Sequence, residues 1–277
     1  MGERTAFDED LSDTLRGLHI DTSNFHLLEY RRVDGFLITS KNSGTHWLRY
    51  MLSCALAEQF GCPPPALASG DASDDFIGHP RRRPRWPATP WLGSSHNLPS
   101  RVLGSPLLRT TVAFPPTVVL VRDLKEALLS FYVKWREVLG VELSEFVVGD
   151  PTGRRYRADV WWFLQFFNRW GRFAERWPEQ TIVTRYEDLV ADPAAELRRI
   201  GRHWDIAFDE AAIAAGVAAA ARDQMAARLD PAKTGVISDQ ADRARIRFSA
   251  EDHATLDAIL SRRLHYDFGY ATLPTRR

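Results

Sequence analysis

"FLITSKNSGTHWLRYMLSCALAEQFG", Phe36 to Gly61, is the stretch on which the reading of this chain turns. Residues of strand character run from Phe36 to Thr39. A short polar loop of Ser, Lys, Asn, Gly and Thr follows. Trp47, Leu48, Met51, Leu52, Ala55 and Leu56 then recur at helical spacing, with Gly61 as a natural stop. A strand, a small-residue loop and a helix together present backbone N–H groups and the positive end of a helix to an anion. The same segment also reads as an ordinary strand-to-helix turn with Ser43 as N-cap. Taken alone, it leaves both readings open.

The rest of the chain bounds the answer. At 277 residues, with 44% hydrophobic and 26% charged side chains, it is long enough for a substantial core and has an ordinary globular composition. Its 36 basic and 36 acidic side chains cancel, so bulk charge gives no reason to expect a nucleic-acid partner. Met1 to Asp13 is polar and acidic and lacks the layout of a signal peptide, and no apolar run is long enough to span a bilayer. Cys54 and Cys62, eight residues apart along a helix, would lie roughly 12 Å apart, too far for a disulfide. A reducing, cytoplasmic location is the expectation.

Along the chain, residues 1–32 lack strong periodicity and read as a peripheral segment. Residues 62–106 are Pro-rich, carry Trp86, Trp91 and a basic run from Arg81 to Arg85, and read as a long loop. That loop is either a substrate-side wall or lid, or a solvated surface loop. Thr117 to Val121 is an unbroken apolar run, as in a buried parallel strand. It leads through Arg122-Asp123 into an amphipathic helix that stops at Gly140. A long aromatic-rich helix is expected from Tyr156 to Trp177, a strand from Thr181 to Thr184, and a helix opened by Asp192-Pro193. An Ala-rich helix is expected over Glu210 to Arg228, a looser basic stretch over Asp230 to Arg247, and a last helix from Ser249. Strands alternating with helices predict one α/β domain over 1–277, with a central parallel sheet flanked by helices and a P-loop-like strand–loop–helix.

Four motifs in order give the chain a family resemblance. Lys41-Asn42-Ser43-Gly44-Thr45-His46-Trp47 resembles the Pro-Lys-Ser-Gly-Thr-Thr-Trp loop of sulfotransferases that use 3′-phosphoadenosine 5′-phosphosulfate (PAPS). Val121-Arg122 with Ser130 eight residues on resembles their second signature. His96-Asn97-Leu98-Pro99 is similar to the His-Leu-Pro segment between the two, and Tyr186-Glu187-Asp188-Leu189 with Asp192-Pro193 to a later one. The resemblance spans residues 33 to 205 and implies a sulfotransferase with PAPS as donor, 3′-phosphoadenosine 5′-phosphate (PAP) as product and no metal. The first loop lacks the Gly-Lys-Ser/Thr ending of a nucleoside-triphosphate P-loop, which disfavours Mg-ATP.

By that resemblance, the segment Ser43, Gly44, Thr45, His46 and Trp47 cradles the 5′-phosphate through its amides. Ser43, Thr45 and His46 add side-chain donors, and Trp47 lies against the adenine. Arg122 and Ser130 hold the 3′-phosphate, and Tyr186 belongs to the nucleotide site. His96 is the expected general base, since an imidazole titrates near neutrality. When Ser-Gly-Thr is aligned, Asn42 occupies the family's lysine position and Lys41 falls one residue early; Lys41 is expected to serve the leaving group. The family's C-terminal Arg-Lys-Gly loop has no clean counterpart, with Lys233, Gly235, Arg243, Arg245 and Arg247 all available. The expected acceptor is a hydroxyl or amine on a small-molecule or lipid-like compound, in a mostly apolar pocket. A nucleotide kinase and a catalytically silent PAP- or PAPS-binding module are the alternatives. Oligomeric state is left open.

Overall fold

The computed structural model describes residues 6–23, 31–68, 74–104, 107, 113–229 and 245–270. In chain order its elements are α1 (Ala6–Ser23), β1 (Gly35–Thr39), α2 (Thr45–Gln59), β2 (Ile77–Gly78), β3 (Leu92–Ser95), β4 (Thr117–Val121) and α3 (Leu124–Leu139). There follow α4 (Leu143–Val148), α5 (Val160–Arg176), β5 (Thr181–Arg185), α6 (Tyr186–Ala191), α7 (Pro193–His203), α8 (Glu210–Ala219), α9 (Arg222–Ala226) and α10 (Ala250–Arg263).

The five strands form one all-parallel sheet in the order β2-β3-β1-β4-β5. β1 and β4 lie in its middle and are buried along their whole length, which explains their unbroken apolar sequence. Side chains alternate between the two faces. Phe36, Ile38, Val119 and Val121 join a core with α3, α5 and α10. Leu37, Val118 and Leu120 join a second core with α2, α7 and α8. Five of the helices start where the chain supplies a side-chain cap. The side chains of Asp123, Asp159, Asp192 and Asp209 each accept a backbone N–H from the first turn that follows. Ser249 and Asp252 form a capping box, and Gly140 closes α3 in the left-handed conformation.

After β1 the chain moves to β2 and β3 on one side of the sheet; after β3 it crosses to β4 and β5 on the other. The connections leaving β1 and β4 therefore diverge. Between their carboxyl ends lies the crevice in which open α/β sheets bind ligands.

Several expectations are corrected here. Within residues 62–106 the chain contributes strands β2 and β3, and β3 is hydrogen-bonded beside β1. They are two and four residues long, with Gly78 and Gly93 diluting the strand signal. Residues 6–23 form a helix rather than an irregular segment. Asp13, Gly17 and Asp21 are its buried members, while Phe7, Leu11, Leu15 and Leu18 are exposed, so the docked face shows no apolar periodicity. The aromatic-rich helix begins at Val160, where Asp159 caps it, and α4 precedes it unannounced. The Ala-rich helix breaks at Ala220-Ala221 into α8 and α9. Residues 230–244, with Lys233, Gly235 and Arg243, lie outside the described residues. Among the described residues no helix is long and apolar enough to cross a membrane, and both Cys54 and Cys62 are free thiols.

Candidate functional site

Strand register assembles the site. Ile38 pairs with Ser95, so the next residues along, Thr39 and His96, meet. His96 Nδ1 lies 2.7 Å from the Thr39 carbonyl and 3.0 Å from its hydroxyl. A carbonyl can only accept, so Nδ1 carries the proton and the Nε2 lone pair is the one available for chemistry. On the other side of β1, Val121 pairs with Arg185, which brings Arg122 opposite Tyr186. The Arg122 guanidinium stacks over that ring at 4.8 Å.

Between these pairs runs the loop from Ser40 to Thr45. Asn42 adopts φ 56° and Gly44 φ 91°, left-handed conformations that suit Asn and Gly. A Cβ on Gly44 would come within 2.7 Å of the Tyr186 ring, so no side chain fits there. Gly44 caps α2 without a side-chain bond, and the first intrahelical bond runs from Leu48 N–H to Gly44 O. The amides of the first turn thus stand outside the helix's own hydrogen bonding. Ser43 is not the N-cap. It is buried, and its hydroxyl donates to Ser40 O at 2.6 Å, which tightens the turn and leaves its backbone N–H as its means of meeting a ligand. The Thr45 hydroxyl donates to Thr39 Oγ1 at 2.9 Å, continuing the chain of contacts to His96.

A cavity of about 1250 Å³ opens onto these groups. Of the residues expected from sequence, Lys41, Asn42, Gly44, Thr45, His46 and Trp47 line it. So do His96, Arg122, Ser130 and Tyr186; Ser43 does not. No Asp or Glu is among its described lining residues. The two neighbours at the family's lysine position diverge. Asn42 Nδ2 donates to Ser130 Oγ at 3.3 Å, whereas the Lys41 ammonium donates to Arg157 O at 2.7 Å and lies 4.8 Å from the Trp162 ring. Burial, followed by repulsion from Arg157 and Arg16, lowers the Lys41 pKa to about 8, with Asp159 opposing.

Electrostatics set the other groups as well. His96 is exposed toward the cavity, yet the surrounding protein lowers its pKa: burial acts first and Lys41, Arg49 and Lys134 add repulsion, against the Thr39 hydrogen bond. Arg122 donates to Glu126 at 3.3 Å, while its buried Nε donates to no group among the described residues. A buried guanidinium N–H left over beside a cavity whose described lining residues include no carboxylate suits an anion. Trp47 is fixed by its Nε1 donating to Ala220 O at 2.9 Å and by an edge contact with Tyr186 at 5.8 Å.

Sequence reasoning missed part of the lining. Phe131, Lys134, Trp135 and Val138 continue from Ser130 along α3, and Tyr156 and Arg157 face them. Helical spacing from Ser130 was the available signal for Lys134 and Val138. The aromatic wall comes from here, and among the described residues of 62–95 none lines this cavity.

No protein-family model matches the sequence, and no curated protein matches it. The structure is similar to that of mouse sulfotransferase SULT7A1 complexed with PAP, with a TM-score of 0.53 and 16% identity over 92% of this chain and 90% of that one. A second solved structure, retinol dehydratase in complex with androsterone and inactive cofactor PAP, aligns with a TM-score of 0.48 and 12% identity over 90% of this chain and 84% of that one. The likeness to the mouse protein is one of architecture. The chain has the sulfotransferase fold.

Proposed function

We propose that this chain is a sulfotransferase that moves the sulfuryl group of PAPS to a hydroxyl or amine of a small-molecule acceptor. The observation that carries the proposal is the meeting, in one cavity, of the α2 amino end, the Arg122 guanidinium and the His96 imidazole. The fold it shares with a mouse sulfotransferase crystallised with PAP supports the same reading. The donor set suits PAPS: two anion-binding groups on separate strand ends, a tight glycine cradle at Gly44, a buried Nε on Arg122 with no acceptor among the described residues, and no carboxylate among the described lining residues.

Bound PAPS would supply the sulfuryl group and a phosphate leaving group. The first-turn amides of α2 would hold its 5′-phosphate, with Thr45 and His46 beside them. Arg122 would hold the 3′-phosphate by charge-assisted bonds, with Ser130 and Asn42 completing that pocket. His96 Nε2 would take the proton from the acceptor hydroxyl as it attacks sulfur. Lys41 would steady charge on the departing phosphate. What supports this choice is that Lys41 lines the same cavity as His96 and repels its protonated form, while Asn42 turns toward Ser130.

Calorimetry with PAP, ATP and ADP, together with labelled sulfate transfer from PAPS to a panel of phenols, tests the reading. PAP bound well ahead of ATP, with transfer that His96→Ala abolishes, is the expected result. Preference for ATP would favour a nucleotide kinase. Tight PAP binding with no transfer to any acceptor would leave a silent binding module.

A further inference from the structure

The cavity runs on past the groups assigned to the donor. From Ser130 to Leu139 it follows α3 for about 13 Å at 1.5 Å per residue. Phe131 and Trp135, 6.3 Å apart, form one wall of this far end, and Tyr156 joins them by way of Phe146. Such a surface suits an aromatic or apolar body.

Its charges do not follow from apolar packing. The Lys134 ammonium sits 5.4 Å from the Trp135 ring, partly buried, and no carboxylate among the described residues pairs with it. Burial alone lowers its pKa. Arg155 lies 5.1 Å from the Tyr156 ring, in an ion pair with Glu145, which is not among the lining residues. Arg157 completes a set of three cations with no acidic partner in the lining. A partly desolvated ammonium is costly unless a counter-charge arrives. By this assignment the 3′-phosphate is already held by Arg122, Ser130 and Asn42, and Lys134, the next residue along the same helix face, is left for the acceptor end. Lys134 is nonetheless near enough to His96 to depress its protonation.

Resting on the sulfotransferase reading above, we propose that the acceptor carries an anionic group, a carboxylate or an oxyanion of the phosphate type, in addition to its hydroxyl. Lys134 reads that group, with Arg157 as a second contact, while Phe131, Trp135 and Tyr156 hold the body between. Lys134 is thus the specificity-determining residue of the acceptor end.

A matched pair tests it: 3-(4-hydroxyphenyl)propanoate and its neutral amide share phenol, ring and length. Their binding to the protein saturated with PAP is followed by calorimetry, and labelled sulfate transfer from PAPS is measured separately. The acid should bind about tenfold or more tightly than the amide, as one charge-assisted bond permits. Lys134→Gln should bring the acid down to the affinity of the amide, with PAP affinity unchanged. Equal binding of the two, no measurable binding of the acid, or a preference that survives in the Lys134→Gln/Arg157→Gln double variant would overturn the proposal. The two readings fail separately. Transfer to the amide as efficient as to the acid, without a binding preference, removes the anionic acceptor and leaves the sulfotransferase. A binding preference with no transfer to either compound keeps the anion site and removes the sulfotransferase.

Discussion

The proton on the His96 ring is assigned by Thr39, whose carbonyl lies 2.7 Å from Nδ1. One strand register produces that contact, since Ile38 pairs with Ser95 and the two chains run parallel into Thr39 and His96. The imidazole therefore presents an unprotonated Nε2 at neutral pH, and burial keeps it so by lowering its pKa.

His96→Ala should lose turnover by a factor on the order of 10² or more while keeping PAP affinity. The wild-type rate should rise with pH and level off below the ordinary imidazole value near 6.5, because the folded pKa is lowered. Between the folded and unfolded values the native state binds fewer protons, so stability should also rise with pH there. A pH–rate profile of both proteins, with calorimetric PAP titration, checks this. A variant that stays active across the profile removes His96 as base.

Arg122 meets Tyr186 because Val121 and Arg185 are register partners. Arg122→Ala should weaken PAP binding by about 2 kcal/mol or more, as expected for buried charge-assisted bonds. Ser130→Ala should cost less. Arg122→Lys should fall short of wild type, since an ammonium cannot reproduce the forked donors or the stacking. Calorimetry with PAP decides, and equal affinities would take Arg122 out of the site.

Much of this was legible in the sequence, for stated physical reasons. Thr117 to Val121 reads as a buried strand because both its faces are covered by helices, and that is where it lies. Asp192-Pro193 announces α7, since Pro at the first helical position and an Asp cap are local signals. What escaped notice depends on distant partners. β2 and β3 are too short to show a period, and β3 is held by its pairing with β1. α1 docks through carboxylates rather than through a buried apolar stripe. Phe7, Leu11, Leu15 and Leu18 do recur at helical spacing, but on its exposed side. At the far end of the cavity, helical spacing from Ser130 reaches Lys134 and Val138, whereas Tyr156 and Arg157 come from outside any helix and no local pattern points to them.

Gly44 should tolerate no substitution. Gly44→Ala combines an unfavourable positive φ with a Cβ 2.7 Å from the Tyr186 ring, at a cost of roughly 1–3 kcal/mol. Tyr186→Ala in the same chain should relieve the clash and leave the backbone term, so the double variant should regain part of the stability lost. Thermal melts of the four proteins check this. Wild-type stability in Gly44→Ala would mean the loop takes another conformation.

The segment after His96 is clamped from behind. The Trp170 indole donates to Asn97 O at 3.0 Å, and Arg169 donates to Pro99 O at 3.0 Å and to Asp21 at 2.6 Å. Burial pushes the Asp21 carboxyl up, but hydrogen bonds from Arg169 and Arg101 outweigh it and hold the pKa below the usual value. Removing one partner of such a buried pair costs about 3–5 kcal/mol. Asp21→Ala should therefore lower the melting temperature and turnover together, with a smaller effect on PAP binding. Because the folded pKa is lowered, the contribution of Asp21 should be present above about pH 4 and fade as pH falls through the folded value. Unchanged stability in Asp21→Ala at neutral pH would show that α1 does not hold this segment.

Lys41 and Asn42 provide the sharpest test of the loop. Asn42 takes the left-handed conformation, which turns successive side chains apart, and its amide reaches Ser130 while the Lys41 ammonium turns to Arg157 O. Charge on the leaving oxygen grows mainly in the transition state, so a group acting there affects rate more than ground-state binding. Lys41→Met should slow transfer far more than it weakens PAP binding. Asn42→Ala should act on PAP affinity and, through its positive φ, on stability. The Lys41 pKa of about 8 adds a second signature. Above it the ammonium is lost, so the rate should fall on the alkaline side, giving a bell whose acid limb belongs to His96 and whose basic limb belongs to Lys41. Between about 8 and the unfolded value near 10.4 the native state binds fewer protons, so stability should rise with pH even as activity declines. Lys41→Met should lose the basic limb and keep the acid one. If the variant keeps both limbs and a near-normal rate, another donor stabilises the leaving group.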